Sequence, residues 1–259
     1  PISYVKWDMN RNMTEIGSTA WPAKKQKEIA HRYMLGLYKI LENITSNFPN
    51  ILFESCSGGG GRFDGGMLYY MPQTWTSDDT DAIERLMIQE GTSLVYPTSS
   101  MGSHVSAVPN HQVHRITPLN TRGVVAMAGS FGYELDVTKM NEEEKEEVKK
   151  QVEFYKNIRS TVQFGDLYRL KSSFDSNEAA WMNLSKDGKE VVVSYVKKYA
   201  EANVIPRRLK VKALDENSLY EVIETGEVFG GDELMYIGLE IGELMGDYQA
   251  KNWTLRKVD

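Results

Sequence analysis

The chain has 259 residues, a formal net charge of −6, 41% hydrophobic and 25% charged residues, and one cysteine. That length holds one large domain, or a medium one plus a small one, and the mild acidity argues against a phosphate-tracking, nucleic-acid-binding surface. A single cysteine excludes a disulfide framework or a thiolate metal cluster, and no apolar run approaches the ~20 residues of a membrane span.

The chain opens directly on PISYVKWDMNR, without Met or a basic leader. A start inside a strand is expected of part of something larger. Ile2–Trp7 reads as a strand, and Lys24–Asn47 places Ala30, Tyr33, Met34, Leu37, Leu41 and Ile44 on one helix face before Pro49 ends it. Ile51–Ser55 is a second strand, followed by the run Gly58–Gly61. Met71–Thr76 predicts a third strand with a helix over Asp79–Gln89, and Ser93–Tyr96 a fourth strand stopped by Pro97. Arg122–Ala128 predicts a short helix and Phe131–Leu135 a fifth strand. Asn141 with Glu144 three residues on predicts a capping box for a helix whose stripe is Val148, Val152 and Tyr155. Residues 142–147 form its solvated acidic start.

Such alternation means parallel β/α units. Five units fit in about 160 residues, whereas a closed eight-unit barrel takes about 250, so residues 1–160 are an open sheet or part of a barrel. Beyond, 191–196, 208–213 and 219–223 are strand-like, with turns at Asp187-Gly188 and Thr225-Gly226. Residues 161–259 therefore read as a small antiparallel β domain, a sandwich.

Alternation along the first strand puts Tyr4, Lys6 and Asp8 on one face and Val5 and Trp7 on the other. The plain account is a solvent face. In a parallel array covered on both sides, however, Lys6 and Asp8 point to the barrel mouth, where Lys6 holds Asp8 ionised as a nucleophile. At the third strand's end, Trp75-Thr76-Ser77-Asp78-Asp79-Thr80-Asp81 reads as a helix start, with Ser77 or Asp78 as cap. A carboxyl crowded by others beside a Trp also suits a general acid. Two carboxyls from separate strand ends are the parts of a glycoside hydrolase.

Between them, Glu54-Ser55-Cys56-Ser57 leads into the four glycines and Arg62-Phe63-Asp64. The run lacks the Lys-Ser/Thr of a P-loop and the spaced glycines of a dinucleotide fold, and it fits close backbone approach to a sugar. Cys56 is by default a small buried hydrophobe. His111 and His114 have no third ligand in motif spacing and read as structural or rim residues, and the sequons at Asn12, Asn43, Asn183 and Asn252 carry little weight without a secretion signal.

YVKWDMNR (4–11), SCSGGGGRFD (55–64), WTSDDTDAIERL (75–86), and PNHQ…R followed by FGYELD (109–136) closely resemble the bacterial α-galactosidases of glycoside hydrolase family 36. The similarity runs in order through most of residues 2–170 and weakly beyond. The resemblance implies the last five units of a (β/α)8 barrel followed by the β domain. It implies Asp8 as nucleophile and Asp78 as general acid/base, with Lys6, Trp7, Met9, Asn10, Cys56, Gly59 and Trp75 lining a galactose pocket. It also implies an upstream β-sandwich and barrel start that supply further sugar ligands, a homo-oligomer, often a tetramer, and a cytoplasmic location. No metal or cofactor is expected. The implied reaction is retaining hydrolysis of terminal α-galactosides such as melibiose and raffinose-type oligosaccharides. The rivals are a relative acting on α-N-acetylgalactosaminides or transglycosylating, and a non-catalytic fragment that needs its missing half.

Overall fold

The computed structural model describes residues 2–10 and 13–258, so Arg11 of the first motif and the sequon at Asn12 lie outside the described residues. Two compact units emerge, one ending at Asp78 and one beginning at Asp79.

The first unit contains β1 (Tyr4–Asp8), α1 (Ile29–Asn47), β2 (Leu52–Cys56), α2 (Gly65–Tyr70) and β3 (Gln73–Trp75). A 3-10 stretch, Ala23–Glu28, leads into α1. The three strands are parallel, with Lys6 opposite Glu54, Asp8 opposite Cys56, and Glu54 opposite Gln73. Helix α1 forms on the predicted face: Leu37 and Leu41 are buried and meet Phe53, Met67 and Met71, with Val5, Trp7, Met34 and Ile44 packed around them. Tyr33 is the exception, exposed with its hydroxyl donating to Met9 Sδ at 3.2 Å. Phe48 leaves helical geometry just before Pro49, which disfavours the α conformation in its predecessor. Strand parity then leaves Tyr4, Lys6, Asp8, Glu54, Cys56, Gln73 and Trp75 on the face opposite the helices.

The second unit continues with α3 (Ala82–Thr92), β4 (Met101–Ser106), α4 (Leu119–Ala126), β5 (Ser130–Glu134) and α5 (Glu142–Phe164). Strands β4 and β5 are parallel, Gly102 opposite Ser130. The capping box at Asn141 and Glu144 is present, each side chain bonding the other's backbone amide. The expected strand at Ser93–Tyr96 is not one. Those amides bond back to Gln89, Gly91 and Thr92, unwinding α3 in a turn that leaves Leu94 and Val95 exposed. The strand lies instead at Met101–Ser106, where a glycine, two serines and a histidine dilute the β-pattern.

The β domain follows with β6 (Asp166–Lys171), β7 (Glu178–Leu184), β8 (Glu190–Lys197), β9 (Arg208–Leu209), β10 (Leu219–Val222), β11 (Glu227–Gly230), α6 (Gly231–Tyr236), β12 (Leu239–Glu240) and β13 (Gln249–Val258). Six strands form an antiparallel sheet in the order β11-β10-β13-β8-β7-β6, and β9 and β12 form a second, two-stranded layer. Met182, Val193, Tyr195, Trp253 and Leu255 pack one face of the large sheet against Leu209, Leu234 and Leu239. Ala179, Val196 and Ala250 turn the other face onto α3 and α4, and Val192 meets Tyr155 and Ile158 of α5. The predicted turns hold Gly188 and Gly226 at positive φ. Of the expected strand 208–213, only Arg208–Leu209 pairs.

Candidate active site

Asp8 is the last residue of β1 and is exposed. Asn10 Nδ2 donates to its Oδ2 at 3.0 Å, and Asn10 Oδ1 in turn accepts from the Gly58 amide at 2.6 Å. Cys56, opposite Asp8, is 2% exposed. Burial, followed by the neighbouring Asp8 carboxylate, pushes the thiol up to about 11 against the lowering pull of the Gly59 amide and Lys6. The thiol therefore keeps its proton at neutral pH, across the strand pair from the Asp8 carboxylate.

One layer below, Lys6 Nζ stands 3.8 Å from Glu54 Oε1 and 4.9 Å from the centre of the Trp75 ring. Glu54 is fully buried and accepts hydrogen bonds from Tyr4 Oη and Gln73 Nε2 on its other oxygen. Alternation along β1 alone couples Lys6 to Asp8 and gives Glu54 no part. Parallel register puts Glu54 directly opposite Lys6 and so on its face.

After β2 the chain turns tightly. Ser57 Oγ donates to the Met9 carbonyl at 2.6 Å, and Gly58 and Gly59 take φ of 54° and 76°. A Cβ on Gly59 would lie 2.5 Å from Ser77 Cα and 2.9 Å from the Asp78 nitrogen, so the glycines let this turn press on the segment after β3. Arg62, also without a predicted role, donates from Nη2 to the carbonyls of Trp7 at 3.2 Å and Cys56 at 2.9 Å. It thereby ties together the two strand ends that carry Asp8 and Cys56.

Asp78 is exposed on that segment. The expected cap at Ser77 or Asp78 is displaced. The N-cap of α3 is Asp81, whose Oδ1 accepts from Ile83 and Glu84 at 3.0 and 3.1 Å and pairs with Arg115. Asp81 wins because the chain leaves helical geometry only at that residue, with φ −67° and ψ 126°.

Residues 1–165 match the family model described as melibiase. The chain belongs to the melibiase family. Residues 178–255 match the glycosyl hydrolase family 36 C-terminal domain. Among relatives of this melibiase-family chain, alpha-galactosidase AgaA of Geobacillus stearothermophilus is 62% identical over 258 residues, all of this chain and 35% of that protein. Alpha-galactosidase Mel36A of Lactobacillus acidophilus is 53% identical over the same span. The AgaA crystal structure superposes with a TM-score of 0.97 at 62% identity, covering 100% of this chain and 36% of that one. A variant of that enzyme solved in complex with raffinose gives a TM-score of 0.96 at 61% identity. The fold class is therefore that of family 36: parallel β/α units of a barrel followed by the antiparallel β domain. The chain spans about a third of the length of these relatives.

Within this melibiase-family chain, Lys6, Asp8, Cys56 and Trp75 share one face of the strands, with Asn10 and Gly59 at their ends. Trp7 does not join them: its side chain packs in the apolar cluster beneath α1. Met9 Sδ faces Tyr33 and Arg62. Among the described residues, no group of three His, Cys, Asp or Glu stands close enough to hold a metal ion.

Proposed function

We propose that this chain carries the catalytic pair of a retaining exo-α-galactosidase acting on terminal α-galactosides such as melibiose and raffinose-type oligosaccharides. The observation that carries the reading is Asp8: an exposed carboxylate at a parallel strand end, held by the Asn10 amide and opposite Cys56. Names given to relatives at 53–62% identity support the substrate class.

In this reading Asp8 attacks the anomeric carbon while Asp78 protonates the leaving oxygen, forming a covalent β-galactosyl intermediate. Water deprotonated by Asp78 then releases α-galactose. The Asn10 amide holds Asp8 in line for attack. Lys6, beside the Trp75 face, binds a sugar hydroxyl by a charge-assisted hydrogen bond, and Gly59 brings backbone close to the ring. Trp7 packs in the apolar cluster beneath α1, with its carbonyl held by Arg62. Retention calls for carboxyl groups about 5–5.5 Å apart, and the chemistry uses two carboxyls and water alone.

We also propose that residues 1–160 form part of the barrel and 161–259 the accessory β domain. The remaining barrel units, a homo-oligomeric assembly such as a tetramer and a cytoplasmic location belong to the same proposal. Among the described residues no helix is long and apolar enough to cross a membrane.

The test uses the full-length polypeptide. Asp8→Ala is expected to abolish turnover on every substrate. Asp78→Ala is expected to spare aryl galactosides with good leaving groups relative to melibiose, with azide restoring rate by trapping the intermediate as α-galactosyl azide. Equal losses on good and poor leaving groups would remove Asp78 from the acid role.

A further inference from the structure

Glu54 is the one carboxylate at the heart of β1–β3 to which the proposed mechanism gives no step. It is fully buried, and its two oxygens are used differently. Oε2 accepts from both Tyr4 Oη and Gln73 Nε2, one donor from each flanking strand. Oε1 takes no hydrogen bond and faces Lys6 Nζ at 3.8 Å. An isolated buried carboxylate is costly, and an apolar side chain would fill the same space without that cost. The arrangement suits a function beyond packing.

Lysine is a point charge on a flexible four-carbon stem, with three rotatable donors and many reachable positions. Here the stem leaves β1 directly opposite Glu54, and the ammonium sits between that carboxylate and the face of Trp75. Both neighbours come from adjacent strands, β2 and β3, so they restrict the ammonium to the polar face where Asp8 emerges one layer above. The donors on Oε2 stop the carboxylate from rotating away.

We propose that Glu54 is a positioning residue for the sugar site: it fixes the Lys6 ammonium at the height where a galactose hydroxyl is bound, and does not itself touch substrate. The proposal rests on the reading of Lys6 as a galactose ligand. Tyr4 and Gln73 complete the device by orienting the carboxylate.

The test is a double-mutant cycle in the full-length polypeptide, following hydrolysis of 4-nitrophenyl α-galactoside and competitive inhibition by free galactose. Glu54→Gln is expected to raise KM and the galactose inhibition constant about tenfold, with kcat changed less than about threefold, the size of one lost charge-assisted contact. In the Lys6→Met background the same substitution is expected to change both by less than about twofold, because coupled residues are not additive. Equal factors in both backgrounds would overturn the proposal while leaving the galactose site standing. A Lys6→Met enzyme with unchanged KM and galactose inhibition would overturn the site reading and the proposal together. If Glu54→Gln does not fold, Tyr4→Phe, at the exposed start of β1, takes its place. It is expected to raise KM about two- to threefold with Lys6 present and to have no effect in the Lys6→Met background. An equal rise in both backgrounds refutes the positioning role.

Discussion

Gly59→Ala tests how the turn after β2 places Asp78. At φ 76° an alanine is strained by roughly 1–2 kcal/mol before any contact is counted. Its Cβ would then stand 2.5 Å from Ser77 Cα and 2.9 Å from the Asp78 nitrogen, where ordinary contact begins at 3.4 Å. Both contacts are backbone, so relief requires moving the segment by about 1 Å, and overpacking of this kind costs roughly another 1–3 kcal/mol. Gly58→Ala is the internal control: its φ is 54°, but a Cβ there meets nothing within 4 Å. Urea unfolding should therefore show Gly59→Ala less stable than Gly58→Ala by roughly 1–3 kcal/mol. A displacement near 1 Å at a reacting group is worth about a hundredfold in rate, so kcat on melibiose should fall on that scale for Gly59→Ala alone. Activated aryl galactosides, which need little acid assistance, should lose less. If the two variants have the same stability and the same kcat, the turn does not position Asp78.

Asp81→Ala removes the α3 cap and leaves Arg115 without its buried partner, so urea unfolding should show a loss of about 3–5 kcal/mol, and Asp81→Ser, which can still cap, should lose less. The Cys56 thiol is held protonated well above its ordinary value, so it should resist a thiol reagent at pH 8 in the native state and react promptly in denaturant. Because the folded state keeps this proton up to about 11 and the unfolded chain releases it near 9, stability should fall as pH rises through that window. A Cys56→Ala variant should show a shallower decline, and an equally steep one would assign the loss to other groups.

Local chemistry made several features legible in the sequence. The capping box of α5 needs only Asn141 and Glu144 three residues apart, the α1 face needs only its three- and four-residue spacing, and Gly188 and Gly226 announce turns that demand positive φ. The order of β/α units and the face shared by Lys6 and Asp8 follow from period alone, and the motif residues carried the family. Tertiary structure decided what depends on competition between neighbours. Leu94 and Val95 carry a strand's composition, but α3 unwinds through them and the next strand pairs at Met101–Ser106. The sequence offers Ser77 or Asp78 as the cap of α3, and only backbone geometry assigns the role to Asp81, leaving Asp78 exposed. Strands β6, β7 and β13, with alanine, lysine and asparagine among their residues, become strands by pairing and burial rather than by propensity. Lys6 acquires Glu54 as its partner across 48 positions of sequence because parallel register, not sequence distance, sets which side chains meet. Residue types and local spacing determined the chemistry this chain carries, and strand register determined which of those groups stand together.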